Sequence, residues 1–141
     1  MPSIEEHEKT VKELLADIEE KIRLSLVAQR QKIIGFSVSE CSANLFAIFL
    51  HKNKLITPGF HVNHRLFASE RIANESFTSE FENKKEVISI LVKIEELRNR
   101  LCYGREKEAQ EANEAIQILY KLKSLLEKNK ENNNVGGEQN A

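Results

Sequence analysis

Tryptophan is missing from this chain, and glycine (5), proline (2), cysteine (2) and methionine (1) are scarce among its 141 residues. So few turn formers exclude a many-stranded β fold, in which short strands alternate with Gly- and Pro-rich turns. Two cysteines without paired ligands beside them exclude a zinc-finger arrangement and a disulfide scaffold; Cys41 and Cys102 both sit in apolar surroundings and read as buried thiols. An excess of one charge is also missing. The formal net charge is −1, so no global field draws the protein to nucleic acid or to an anionic membrane. The longest uninterrupted apolar run, Leu45 to Leu50, is six residues, far below the roughly 18 of a membrane span. The opening Met-Pro-Ser-Ile-Glu-Glu is acidic, unlike the basic start of a signal peptide. The expectation is a cytoplasmic protein with no membrane segment.

Apolar residues at helical spacing are abundant. Ser3-Ile4-Glu5-Glu6 forms a capping box. Behind it Val11, Leu14, Leu15, Ile18, Ile22, Leu26, Ile33 and Ile34 predict one long helix over about 4–34, with Gly35 as its stop. A second box, Ser37-Val38-Ser39-Glu40, predicts a helix over 38–54, apolar on all sides through Phe46, Phe49 and Leu50. A helix of that kind is either surrounded by its own fold or faces a partner, and a homodimer through this second helix is expected. Thr57-Pro58-Gly59 ends it. The long connection up to Phe81 holds a short extra helix at 66–73. Asn83 opens a third helix over 84–102, with a stripe of Val87, Ile90, Leu91, Ile94, Leu97 and Leu101 and Gly104 as its cap. A fourth covers 106–128. The reading is all-α: an antiparallel four-helix up-down bundle as one domain over 1–128, with a disordered polar tail over 129–141. The acidic face of the first helix is a solvated one, with pairs such as Glu8–Lys12 and Asp17–Lys21.

Candidate chemistry gathers where the third helix ends, at Arg98-Asn99-Arg100-Leu101-Cys102-Tyr103-Gly104. An arginine presents a planar donor fork that matches phosphate. The same cations are also favoured at any helix C-terminus by the macrodipole, by about 0.3–1 kcal/mol. This segment, with the Glu-Glu-Leu before it, resembles the signature of HEPN domains, the "higher eukaryotes and prokaryotes nucleotide-binding" helical bundles. The order of elements over 4–126 is similar too.

The resemblance implies a dimeric bundle of four or five helices. Active members are metal-independent endoribonucleases in which the Arg contacts the scissile phosphate and a His acts on the ribose 2′-hydroxyl. Many bacterial and archaeal members are toxins paired with a small nucleotidyltransferase. Arg98 and Asn99 match the phosphate-binding pair. Tyr103 stands where the family has its His, and a phenol is a poor base at neutral pH; it can stack on a base or donate a hydrogen bond. The expectation is therefore a non-catalytic member that binds a nucleotide, an RNA or a nucleotidyltransferase, with a nuclease using a substituted base, or a purely structural dimerisation module, as alternatives.

A secondary candidate is the connection over 51–74, which carries a net +3 against −4 for the remainder, with Phe60 and Phe67 interleaved. His61, His64 and Arg65 there could touch phosphate or replace the missing base. His61 and His64 lack a third ligand in reach, so neither metal nor cofactor is expected.

Overall fold

The computed structural model describes residues 3–140, with side chains through Asn129. Ser3 begins the first helix as its position predicts: its Oγ accepts the N–H of Glu6 at 3.1 Å, opening α1, Ile4–Arg23. The expected continuation to residue 34 does not form. The N–H of Ser25 reaches Ile22 O (3.1 Å) and that of Leu26 reaches Lys21 O (2.8 Å), while Ser25 takes φ 56°. These are the two bonds and the left-handed residue of a Schellman stop.

The next helix, α2, spans Gln31–Lys52. Gly35 and the second box therefore lie inside it: Ser37, Ser39 and Ser42 are buried, and Ser42 Oγ donates to Ser39 O. It ends as α1 does, with Lys54 N on His51 O, Leu55 N on Leu50 O and Lys54 at φ 56°, before Thr57-Pro58-Gly59 is reached. Its length and hydropathy would let it cross a membrane. Here α1, α4 and α5 pack around it, which is how its all-round apolar sequence is satisfied.

The connection after α2 is structured. A 3-10 turn, His64–Phe67, follows Asn63, whose Oδ1 accepts the N–H of Arg65. Helix α3, Glu70–Ser76, is capped by Ser69 Oγ on Ile72 N. The two elements take the place of the single short helix at 66–73. Both bring aromatic rings onto the end of α2: Phe46 lies 5.1 Å from Phe77, 5.9 Å from Phe67 and 6.0 Å from Phe81, ring centre to ring centre.

Helix α4 covers Lys84–Cys102, and Gly104 follows at φ 77°. Helix α5 spans Ala109–Asn140 and buries Ala112, Ala115, Leu119 and Leu122 against the core. The tail expected over 129–141 falls almost wholly on residues whose side chains lie outside those described. At Asn129 the expectation is overturned: it is 1 % exposed, donates to Glu82 O at 2.5 Å and accepts from Asn83 Nδ2 at 3.2 Å. The chain is thus all-helical, with five α-helices and no strand among the described residues.

Candidate functional site

The inner face of α4 is apolar from Val87 to Leu101, and three polar residues at one edge of it share a helical spacing. Glu95, Arg98 and Cys102 stand at i, i+3 and i+7, so they line up along the last two turns. Glu95 is 7 % exposed. A buried carboxylate needs partners, and His64 provides one: its Nδ1 lies 3.0 Å from each carboxylate oxygen. The pair joins the 3-10 turn to α4 across 31 positions of sequence. With Nδ1 committed to the carboxylate, Nε2 of His64 makes no hydrogen bond among the described residues, and the side chain is half-buried.

One turn further on, Arg98 is half-buried. Its Nε is sealed from solvent and has no hydrogen-bond partner. Two of its acidic neighbours are matched elsewhere. Arg100 is bound to Glu111, which raises the guanidinium's pKa and lowers that of the carboxyl. Glu96 pairs with Lys93 at 3.7 Å. Among the described residues, Arg98 makes neither an ion pair nor a hydrogen bond. Its charge is felt by Cys102: burial pushes that thiol's pKa up, while Arg98 and Lys32 pull it down and Glu95 adds to the rise. The thiol donates to Lys32 O at 3.4 Å.

Beside this edge is a cleft of about 510 Å³, lined among others by Arg30, Lys32, Leu101, Gly104, Arg105 and Glu106. Three of these are cations and one is an anion. Arg98 is not part of its lining. One wall is the loop after α4, held by Gln31 in a two-bond clamp: Nε2 donates to Lys107 O (2.5 Å) and Oε1 accepts Lys107 N (2.9 Å). Gln31 is 5 % exposed, and burying an amide is tolerable only because both its ends are bonded.

The predicted site residues are thus partly assembled. Arg98 and His64 are brought to one side of α4 through Glu95. Asn99 is exposed beside them. Tyr103 ends the helix with extended backbone and is 60 % exposed; five positions after Arg98, it leaves on a different side of the helix. His61 and Arg65 are exposed, and the backbone N–H of Arg65 donates to Asn63 Oδ1. Sequence reasoning missed Glu95, Lys32 and Gln31 as parts of this region. Glu95 has a signal in its position three residues before Arg98; the other two have none.

No protein-family model, curated protein or solved structure matches this chain.

Proposed function

We propose that this protein binds the phosphate groups of RNA or of a nucleotide at the end of α4, as a HEPN-like helical domain. One observation carries the reading: Arg98 holds a buried Nε with no partner, while Glu95, Glu96 and Glu111 near it are paired with other residues. A guanidinium left in that state favours an oxyanion. Arg30, Lys32 and Arg105 in the adjoining cleft extend a positive surface for a polyanion, and the exposed Asn99 and Tyr103 are further candidate contacts. On this reading α1, α2, α4 and α5 form the up-down bundle of that family. The dimer uses the part of α2 left open, where Ile33 and Phe36 are each 48 % exposed. A nucleotidyltransferase is the protein partner to seek by co-purification.

The test is binding of a fluorescent single-stranded RNA and of ATP to the whole chain. Arg98→Ala should weaken binding and reduce the salt slope by about one; Arg100→Ala, which loses only the bond to Glu111, should leave both unchanged. Equal effects from the two variants would remove Arg98 from its role.

A second reading is favoured by His64. A histidine whose Nδ1 is held by a carboxylate and whose Nε2 is free has the arrangement of a general base, and would replace the imidazole lost at Tyr103. RNA incubated with the protein in EDTA should then be cleaved, and His64→Gln should stop cleavage without reducing RNA affinity. Intact RNA would leave binding alone as the function.

A further inference from the structure

Helices α1 and α5 both pack on α2 and not on each other, and a groove of about 340 Å³ lies between them. Its floor is α2, through Leu45, Ile48 and Phe49, with Leu15 on one wall and Leu126 on the other. Leu15, Leu45 and Ile48 are only half-buried, so the fold leaves apolar surface uncovered here. At one end Tyr120 Oη donates to Glu19 at 3.2 Å, one turn beyond Leu15 and one turn before Lys123, and bridges the two walls. The floor then runs from Leu45 to Asn53, about 12 Å of helix at roughly 1.5 Å per residue. The rim is charged: Lys12, Lys52 and Lys123 stand there with Glu8 and Glu127. Both carboxylates are taken. Glu8 turns across to Lys52 at 3.4 Å, and Glu127 holds Lys123 at 2.7 Å. Lys12, four residues after Glu8, makes neither an ion pair nor a hydrogen bond among the described residues. An uncompensated positive charge therefore stands at the edge of an uncovered apolar slot.

We propose that this groove binds a free medium-chain fatty acid, with its alkyl chain on the floor and its carboxylate at Lys12. The volume lies within the range of small-molecule sites, about 300–1,000 Å³. A slot between two helices suits a linear chain, and an extended chain of roughly eight to ten carbons covers a floor of this length. Affinity comes from the apolar surface, where each methylene removed from water tightens binding by about fourfold. Charge sets the head group. With both rim carboxylates committed to lysines, the remaining field is that of Lys12, which attracts a carboxylate and repels an ammonium. Arg98 does not line the groove, so the assignment is independent of the phosphate reading. It is also separate from the open turn at Ile33 and Phe36, which belongs to the start of α2, whereas the groove uses its end.

The experiment titrates the full chain with sodium decanoate, below the concentration at which decanoate forms micelles, and follows the heat and the carbon-13 methyl resonances. One decanoate per chain should bind. It should shift the methyls of Leu15, Leu45, Ile48 and Leu126 and leave Val87 and Leu91, in the core of α4, in place. Hexanoate should bind on the order of a hundredfold more weakly, and decylammonium should not compete. Lys12→Gln should weaken decanoate by about threefold, while Lys85→Gln, on α4, should have no effect. Leu15→Trp places a larger side chain in the open slot and should abolish binding without lowering Tm; the methyl shifts of the wild-type chain decide the matter if that variant folds poorly. Absence of binding, equal binding of decylammonium, unchanged affinity in Lys12→Gln, or shifts at Val87 and Leu91 would each overturn the assignment. Groove methyls that move on raising the protein concentration, and not on adding decanoate, would make a second copy of the chain the occupant and overturn it as well.

Discussion

Gly35, in the first turns of α2, and Leu101, in the last turn of α4, leave no room for a side chain between them. A Cβ on Gly35 would stand 2.9 Å from Leu101 Cβ and 3.1 Å from Cys102 Sγ. Leu101 Cβ is fixed to its backbone and cannot swing aside. In an open helix, alanine would gain about 1 kcal/mol over glycine; overpacking a fitted contact costs typically about 1–3 kcal/mol. Gly35→Ala is therefore expected to lower stability by about 1 kcal/mol net, a fall in Tm of roughly 3 °C for a chain of this size. A rise in Tm on calorimetry would mean that the helices are not so close here.

The same glycine shows why the helix boundaries were only partly legible. In the sequence it looks like a stop, because an apolar stripe runs up to it and a capping box follows. The real stops put Ser25 and Lys54 in the left-handed region, two residue types that give no warning of it. The box at Ser37 is a chance match whose serines are absorbed in the interior of α2. Ser3, Gly104 and the stripe of α4 were readable because each depends on bonds or spacing within a few residues. The bond of His64 to Glu95 was not, since it depends on the path of a connection that the aromatic rings fold back over α2.

The two thiols should differ in reactivity. Burial pushes Cys41 up to about 12, opposed only slightly by Lys123, and it is 0 % exposed. Cys102 is half-buried and raised less, because Arg98 and Lys32 favour its thiolate. The thiolate is the reactive form. At pH 8, iodoacetamide should label Cys102 first and Cys41 only when the chain unfolds, as peptide mass spectrometry will show. Arg98→Ala should slow labelling of Cys102 by removing a neighbouring positive charge, while Arg100→Ala should not. This places Arg98 without any ligand present. Equal rates in both variants would put its guanidinium elsewhere.

His51 gives the fold a dependence on pH. Desolvation lowers its pKa below 6.5, and the charge of His7 lowers it further. Above 6.5 the residue is neutral folded or unfolded and contributes nothing. As the pH falls through 6.5, the unfolded chain takes the proton first, so stability is lost, and the loss continues down to the folded value. His51→Gln should abolish this part of the acid sensitivity. Urea midpoints of wild type and variant at pH 7.5 and 5.5 measure it: the variant should lose less on acidification. If wild type loses no more than the variant, His51 keeps its ordinary pKa in the fold.

Phe46 and Phe36 separate folding from association, although both lie on α2. Phe46 is 0 % exposed and touches Phe49, Phe67, Phe77 and Phe81. Phe46→Ala should cost about 3–5 kcal/mol, a large share of the total stability of a domain, and should unfold much of the population at modest urea. It says nothing about a dimer, because the ring is already covered within one chain. Phe36 and Ile33 are one turn apart on the same helix, each 48 % exposed, and removing them leaves no cavity. If two copies associate through this turn of α2, Ile33→Ser with Phe36→Ser should halve the mass found by sedimentation while the urea midpoint of the dilute protein stays within about 0.5 kcal/mol of wild type, as for ordinary surface changes. An unaltered mass in the double variant would mean that the dimer, if one forms, uses another face, and the role proposed for the open turn of α2 would fall.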